Sequence, residues 1–286
     1  MTGSRSTSRW LAASALTLLV ACSAASDETK APSPAESPSP TPEPSPTPAP
    51  TAAQPAGDVD AEAIVAAEDR SADDRKADER RSPAELLRFC ELAPGMRVAD
   101  IGAGTGYTTE LLARAVGPEG VVYGQNTEFI IERFAKKGWE ERLAKPVNAK
   151  VVSVLRDFSD PLPPELEGQL DRVVNVLFYH DFEWQGIDRA AHNKSVLRAL
   201  KPGGYYIIID ASAREGEGAT QSKTLHRVEE RLVREELQAA GFELAGESGF
   251  LRNPADTRDW NALPWRGEGN GQYSDKFALK FRKPAG

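Results

Sequence analysis

Three glycines at alternate positions, Gly102, Gly104 and Gly106, have the spacing that most clearly indicates chemistry. The apolar run Val98 to Ile101 precedes them, and apolar residues at helical spacing follow from Tyr107 onward. This order predicts a strand, a tight loop and a helix. Glycines let such a loop turn sharply and come close to a ligand, and the start of the helix offers unpaired N–H groups to an anion. The pattern therefore predicts a site for a nucleotide-like cofactor.

The spacing of the glycines separates this loop from two other nucleotide-binding loops. The dinucleotide fingerprint G-x-G-x-x-G needs its third glycine where Tyr107 stands, and the phosphate-binding pattern G-x-x-x-x-G-K-[ST] is absent from the sequence. The alternative is a glycine-rich turn that binds no ligand and only connects a strand to a helix. The local context of strand and helix favours the cofactor site.

Polar side chains follow two later apolar runs that we interpret as strands. Tyr179, His180 and Asp181 come after the fourth predicted strand, and Asp210 comes after the fifth. Open α/β sheets bind ligands outside the carboxyl ends of their strands, so these residues are candidates for chemistry. His226, on a helix predicted over 224–240, is a second candidate base. A structural role explains His180 equally well and is favoured for His226.

The run D-x-G-x-G-x-G, from Asp100 to Gly106, resembles the first motif of class I S-adenosylmethionine-dependent methyltransferases. A second feature of that family is a helix, then Lys201-Pro-Gly-Gly204, then an apolar strand. The resemblance extends over residues 83–284. It implies an α/β fold with a Rossmann-like, doubly wound, seven-stranded sheet, mostly parallel with an antiparallel last strand.

The resemblance also implies a function and a set of site residues. The expected cofactor is S-adenosylmethionine, and the expected activity is methyl transfer to an unidentified, small-molecule acceptor. By this resemblance the cofactor-binding residues are Asp100, Gly102, Ala103, Gly104, Gly106, Asn126, Asp157 and Asn175. The catalytic candidates are Tyr179, His180, Asp181, Asp210 and His226. We expect no metal-binding residues.

Two of the cofactor-binding positions carry open alternatives. Asn126 stands where the family usually has an acid that binds the ribose hydroxyls, and an amide binds a diol without charge assistance. An aspartate at this position is therefore expected to tighten ribose binding, and Glu128 in the next turn is a substitute candidate. Asp157 follows the third predicted strand, where it either contacts the adenine or initiates a turn.

The first residues have the features of a bacterial lipoprotein signal. Arg5 and Arg9 precede a short apolar run, Trp10 to Val20, and the run ends in Leu19-Val-Ala-Cys22, which resembles a lipobox. We therefore predict a signal peptide over 1–22 and membrane attachment through lipidated Cys22. An ordinary secretory signal is the alternative.

The composition predicts a tethered domain. Residues 23–58 are rich in proline, serine and threonine and are predicted to be a disordered linker. Residues 59–286 are predicted to form the domain, with helices over 59–92 and the Rossmann-like core over 97–284. One of these helices is predicted to start from a capping box of Ser82 and Glu85. The net charge of −8 argues against nucleic acid as a partner.

The predicted location in the cell envelope conflicts with a cofactor that is made inside cells. Two further hypotheses therefore stay open. One is a catalytically silent domain of the same fold that acts as a binding module on the cell envelope. The other is an oxidoreductase that uses a dinucleotide.

Overall fold

The computed structural model describes residues 59–267, 269 and 271–286. The predicted signal peptide, Cys22 and the proline-rich linker lie outside the described residues. Within the described part, no helix is long and apolar enough to cross a membrane.

Seven strands form one sheet in the order β3-β2-β1-β4-β5-β7-β6. All neighbouring strands from β3 to β5 are parallel, whereas β7 is antiparallel to both β5 and β6. The strands are β1 Arg97–Ile101, β2 Val121–Asn126, β3 Val151–Leu155, β4 Leu170–Val176, β5 Leu200–Ala211, β6 Glu243–Ser248 and β7 Lys276–Arg282. The predicted doubly wound, seven-stranded α/β fold is confirmed.

Helices cover both faces of the sheet and its edge. They are α1 Ala61–Ala66, α2 Ala72–Arg81, α3 Pro83–Cys90, α4 Tyr107–Val116, α5 Glu128–Ile130, α6 Lys136–Leu143, α7 Asp181–Trp184, α8 Arg189–Ala199, α9 Ser222–Leu225 and α10 Glu230–Ala239. A π-helical turn, Ile131–Ala135, joins α5 to α6.

The inner strand β5 shows why the sheet needs helices on both faces. Tyr206 and Ile208 belong to the hydrophobic cluster on one face, and Ile207 and Ile209 belong to the cluster on the other. Successive side chains of a strand point to opposite faces, so a continuous apolar run must be covered on both. β1 and β4 are parallel neighbours in this sheet, so their carboxyl ends lie side by side at one edge.

The predicted capping box at the start of α3 does not form. Ser82 ends α2 and precedes α3 at once, with a left-handed φ of 45°, and its side chain makes no capping hydrogen bond. A capping serine needs an extended backbone so that its oxygen can reach the third residue of the helix. The close succession of two helices excludes that conformation. Glu85 instead pairs with Arg88.

The helix predicted over 224–240 is wrong because the chain breaks at His226. His226 has a φ of 52° at the end of α9. Val228 then runs beside β5, where its N–H donates to the Ala211 carbonyl at 3.0 Å. The residue between them, Arg227, is fully buried and binds both carboxylate oxygens of Asp256 at 2.9 and 3.2 Å. This buried ion pair fixes the backbone that presents His226.

We expect Arg227→Met to lower the free energy of unfolding by about 3–5 kcal/mol, measured by denaturant titration. Methionine keeps an apolar side chain of similar length but leaves the buried Asp256 carboxylate without its counter-charge. Lys137→Ala is the control, because the Lys137–Glu141 pair is solvent-exposed at 90% and 68% and should contribute less than about 0.5 kcal/mol. Equal losses in the two variants would contradict the structural role of the buried pair.

Candidate functional site

The glycine loop, residues 102–106, connects β1 to α4 at the carboxyl edge of the sheet. Gly102, Gly104 and Gly106 have φ values of 69°, 56° and 84°, which side chains with a Cβ rarely adopt. A Cβ added at Gly104 would meet no atom within 4 Å. The loop therefore has the predicted strand–loop–helix geometry, and it is open above its central glycine.

Two buried amide side chains at the end of β2 hold this loop. The Gln125 Oε1 atom accepts from the Gly102 N–H at 3.2 Å. Asn126 accepts from the Gly104 N–H at 2.9 Å and donates from Nδ2 to the Gly104 carbonyl at 3.3 Å. Asn126 is fully buried. The ribose contact predicted for Asn126 would therefore require both bonds to Gly104 to break.

An aromatic side chain lies over the first glycine of the loop. A Cβ on Gly102 would lie only 2.6 Å from the ring of Phe178. Phe178 stacks at an angle on Phe158, with ring centroids 4.5 Å apart. The Phe178 ring therefore fills the space into which a side chain at position 102 would project.

Two predicted cofactor-binding residues are inside the sheet. Asp100 is 2% exposed and accepts from the Thr109 hydroxyl at 2.6 Å. Burial raises the pKa of Asp100 to about 7, although the hydrogen bond from Thr109 opposes the shift. Asn175 is fully buried in β4 beside Ile101 of β1. The Asp100 side chain thus connects the end of β1 to α4, and Asn175 lies at the same edge in the neighbouring strand.

The other two predicted positions are at the surface of the edge. The Ala103 N–H donates to the Gln125 carbonyl at 2.9 Å, so the loop is bonded to β2 through the main chain as well. The exposed Asp157 accepts from the Ser159 N–H at 2.7 Å. That contact is the side-chain turn typical of aspartate after a strand. Of the two roles that the sequence allowed for Asp157, the structure therefore shows the turn.

Four of the predicted catalytic residues meet at the ends of β4 and β5. Asp210 holds His180 through two contacts, from Nδ1 at 2.7 Å and from the backbone N–H at 2.8 Å. His180 Nε2 lies 3.1 Å from Asp181 Oδ1 and 3.3 Å from His226 Nδ1. The side chains of His180, Asp181 and His226, which we call the histidine cluster, therefore converge on one point. The sequence predicted His180 and Asp181 at this edge of the sheet, but it did not predict that His226 lies beside them.

The charges around His180 determine its protonation. Burial lowers the pKa of His180, but the neighbouring carboxylates of Asp210 and Asp181 outweigh burial and raise it to about 10. Burial opposes ionisation of Asp181 as well, yet hydrogen bonds from His180 and His226 hold its pKa well below the usual range.

Tyr179 points away from the site. It is 1% exposed, and its hydroxyl donates to Glu236 at 2.8 Å and accepts from Asn193 at 2.9 Å. These partners lie on α10 and α8, behind the sheet edge. Adjacent residues after a strand point in different directions, so Tyr179 anchors these helices while His180 faces the site.

A cavity of about 390 Å³ opens beside the histidine cluster, and we call it the histidine cavity. Its lining includes His180, His226, Leu177, Trp260, Trp265, Arg81 and Lys276. The volume is that of a small-molecule site. The loop that contains Trp260 and Trp265 forms one side of the cavity.

Two cationic side chains that line the cavity were not predicted from the sequence as site residues. Burial lowers the pKa of Lys276 to about 8, and burial also lowers the pKa of Arg81. Lys276 begins β7, and the start of an antiparallel strand lies at the carboxyl edge of its parallel neighbours, so the topology could have indicated it. Arg81 is in a densely charged segment, where nothing distinguishes it from its neighbours.

The comparisons with known proteins agree with this fold. A family model described as protein-L-isoaspartate(D-aspartate) O-methyltransferase matches residues 78–154. This range contains the glycine loop and Arg81, but it ends before the three residues of the histidine cluster.

Solved structures of the same fold include two S-adenosylmethionine-dependent methyltransferases. The one from Aquifex aeolicus is 19% identical, with a TM-score of 0.52 over 78% of this chain and 98% of that chain. The one from Methanosarcina mazei is 17% identical, with a TM-score of 0.50 over 70% and 98% of the two chains. The [4+2]-cyclase SpnF is 20% identical, with a TM-score of 0.51 over 72% and 82%. The described domain thus has the fold of these methyltransferases.

We expect Asn126→Asp to destabilise the domain by about 1–3 kcal/mol in chemical denaturation. The substitution removes the Nδ2 donor and places a buried carboxylate against the Gly104 carbonyl. Asn253→Asp is the matched control, because Asn253 also bonds the main chain, through the Tyr273 carbonyl and the Ala255 N–H, in a half-buried loop. A stable Asn126→Asp variant would show that the loop does not depend on this amide.

Proposed function

We propose that this chain is an S-adenosylmethionine-dependent methyltransferase that acts on a small acceptor bound in the histidine cavity. The observation that carries the proposal is the glycine loop, which has the strand–loop–helix geometry of the class I fold and is open above Gly104. The histidine cavity lies at the same edge of the sheet, at the ends of β4 and β5.

The residues around the loop fit this cofactor. Gly104 and the start of α4 offer space and helix N–H groups for its carboxylate end. Leu155 and Phe129, exposed at 52% and 48%, provide apolar surface for an adenine at the ends of β3 and β2. Glu128, at the start of α5, is exposed and provides a carboxylate for the ribose hydroxyls. The Phe178 ring, which lies over Gly102, bounds the loop on one side.

When bound, S-adenosylmethionine supplies an activated methyl group on a sulfonium. The contribution of the protein is to position the acceptor and to exclude water. His180 and His226 face the cavity, where they would orient the attacking atom. Arg81 and Lys276 form its cationic side, and the buried Nε of Arg81 has no hydrogen-bond partner among the described residues. We therefore propose an acceptor that carries an anionic group.

A catalytically silent binding module is the second candidate function. Two observations favour it: the N–H groups of Gly102 and Gly104 bond to amides of the chain itself, and Phe178 lies over Gly102. The similarity to a [4+2]-cyclase illustrates that this fold hosts other activities.

Calorimetric titration of the purified protein with S-adenosylmethionine, S-adenosylhomocysteine and NAD separates these functions. We expect binding of the first two, and at least about tenfold weaker binding in Gly104→Ala, because a methyl group there enters the open space above the loop. Gly168→Ala is the matched control. Gly168 has a similar φ of 62° and also no atom within 4 Å of an added Cβ, but it precedes β4 at the opposite edge. Both variants should lose about 1–2 kcal/mol of stability from the strained backbone.

Each alternative function predicts a different set of bound compounds in this titration. Binding of NAD alone would indicate a dinucleotide enzyme. No binding of any of the three would favour the silent module. Unchanged affinity in folded Gly104→Ala would exclude the glycine loop as the site.

We also propose that the mature protein is a lipoprotein of the cell envelope, attached through Cys22. The order of Arg5, Arg9, the apolar run and the lipobox supports this proposal. Mass spectrometry of the mature N-terminus should find Cys22 as the first residue with two or more acyl chains, which is the number that holds a protein stably on a bilayer. Cys22→Ala should abolish the modification. A mature chain that begins at Met1 would contradict the proposal and would place the domain where its cofactor is made.

A further inference from the structure

We propose that His180, Asp181 and His226 bind a divalent transition-metal ion. Three ligand atoms, one from each side chain, form a nearly equilateral triangle. His180 Nε2 lies 3.1 Å from Asp181 Oδ1 and 3.3 Å from His226 Nδ1, and the last two atoms are 3.2 Å apart. The inference is independent of the proposed methyl transfer, because it rests on this geometry and on the surroundings of the three side chains.

The size of the triangle matches the first coordination shell of such an ion. Bonds of about 2.0–2.2 Å from nitrogen and oxygen place adjacent ligands about 2.9 Å apart in an octahedron and about 3.4 Å apart in a tetrahedron. The three separations of 3.1, 3.2 and 3.3 Å fall between these limits. An ion can therefore bind all three atoms with little rearrangement.

Hydrogen bonds from neighbouring residues orient two of the three side chains, as they do for the ligands of known metal sites. Asp210, fully buried, accepts from His180 Nδ1 at 2.7 Å, which directs Nε2 towards the centre of the cluster. A carboxylate behind a ligating imidazole is the usual arrangement at metal sites. Trp184 Nε1 donates to Asp181 Oδ1 at 2.7 Å, and the Ser222 hydroxyl bonds the His180 carbonyl. Each ligand except His226 is thus held by a polar neighbour.

The backbone that presents His226 supports the same inference in another way. His226 and Leu177 both have left-handed φ values, 52° and 59°, and both line the histidine cavity. A residue with a Cβ is strained in this conformation, and such strain clusters at functional sites, where the surrounding structure enforces it. Here the buried Arg227–Asp256 pair enforces it at His226.

The composition and openness of the cluster indicate the kind of ion and its further ligand. Two imidazoles and one carboxylate on one side of an ion leave coordination positions open, as in catalytic zinc and non-haem iron(II) sites. These positions face the histidine cavity, whose other side carries Arg81 and Lys276. The geometry therefore suits an anionic oxygen ligand that binds the ion and is neutralised by the two cations.

The test uses the full-length protein, freed of metal by a chelator and titrated with Co²⁺ and then Zn²⁺. We expect one Co²⁺ per chain, seen by its visible absorption, and displacement by one Zn²⁺. Asp181→Asn and His226→Gln should each weaken binding at least about 100-fold, because they remove a ligand. Asp210→Asn should weaken it about 10–100-fold, as expected for a partner behind a ligand.

His192→Gln is the control variant, since His192 is the one of the three histidines in the chain that lies outside the cluster. It is fully buried between the Phe158 carbonyl and the Tyr206 hydroxyl, and its replacement should leave metal affinity unchanged.

X-ray absorption of the zinc-loaded wild-type protein gives an answer that needs no variant to fold. Two imidazole ligands are expected. The proposal would be overturned if neither ion bound stoichiometrically or if the zinc had fewer than two imidazole ligands. Unchanged metal affinity in folded Asp181→Asn and His226→Gln would overturn it as well.

Discussion

The carboxylate of Asp210 is the contact on which the candidate site depends. It is buried at the end of β5 and binds both the backbone N–H and the imidazole Nδ1 of His180, which follows β4. One side chain thereby joins the ends of two neighbouring strands and sets the direction of the imidazole. A buried carboxylate is stable only when it is paired and hydrogen-bonded, so this position and that of His180 are mutually dependent.

The sheet edge brings together groups that are far apart in the sequence. The parallel strands contribute the residues that follow them, and the antiparallel β7 contributes its first residue, Lys276. The helix α2, which precedes the sheet in the chain, contributes Arg81. Cations on one side and the histidine cluster on the other create a polarised cavity. Such a field favours an anionic or oxygen-bearing ligand whatever reaction follows.

The glycine loop shows that a fold and a motif do not by themselves define an active cofactor site. The loop has the expected backbone, but Asn126 and Phe178 use two of the surfaces that a ligand would contact. Ligand binding would have to compete with contacts that now stabilise the domain. The affinity of the cofactor is then the difference between two sets of interactions, which makes the titration of the loop more informative than the motif.

The sequence alone determined the sheet, the glycine loop and the edge at which the site lies. These features follow from local patterns: apolar runs of strand length, glycines that permit positive φ, and the rule that parallel strands end at one edge. Strand positions were therefore predictable to within a few residues, except that β5 begins at Leu200 and so includes Lys201-Pro-Gly-Gly204, which the sequence placed before the strand.

The tertiary structure decided which side chains meet. Tyr179 and His180 are adjacent in sequence, but packing against α8 and α10 takes one away from the site. His226 was predicted within a helix, but the helix breaks there, Arg227 is buried against Asp256, and His226 faces His180. Asn126 was predicted to contact a ribose, but its amide bonds to Gly104 of the loop. These outcomes depend on contacts between distant segments, which no local sequence pattern contains.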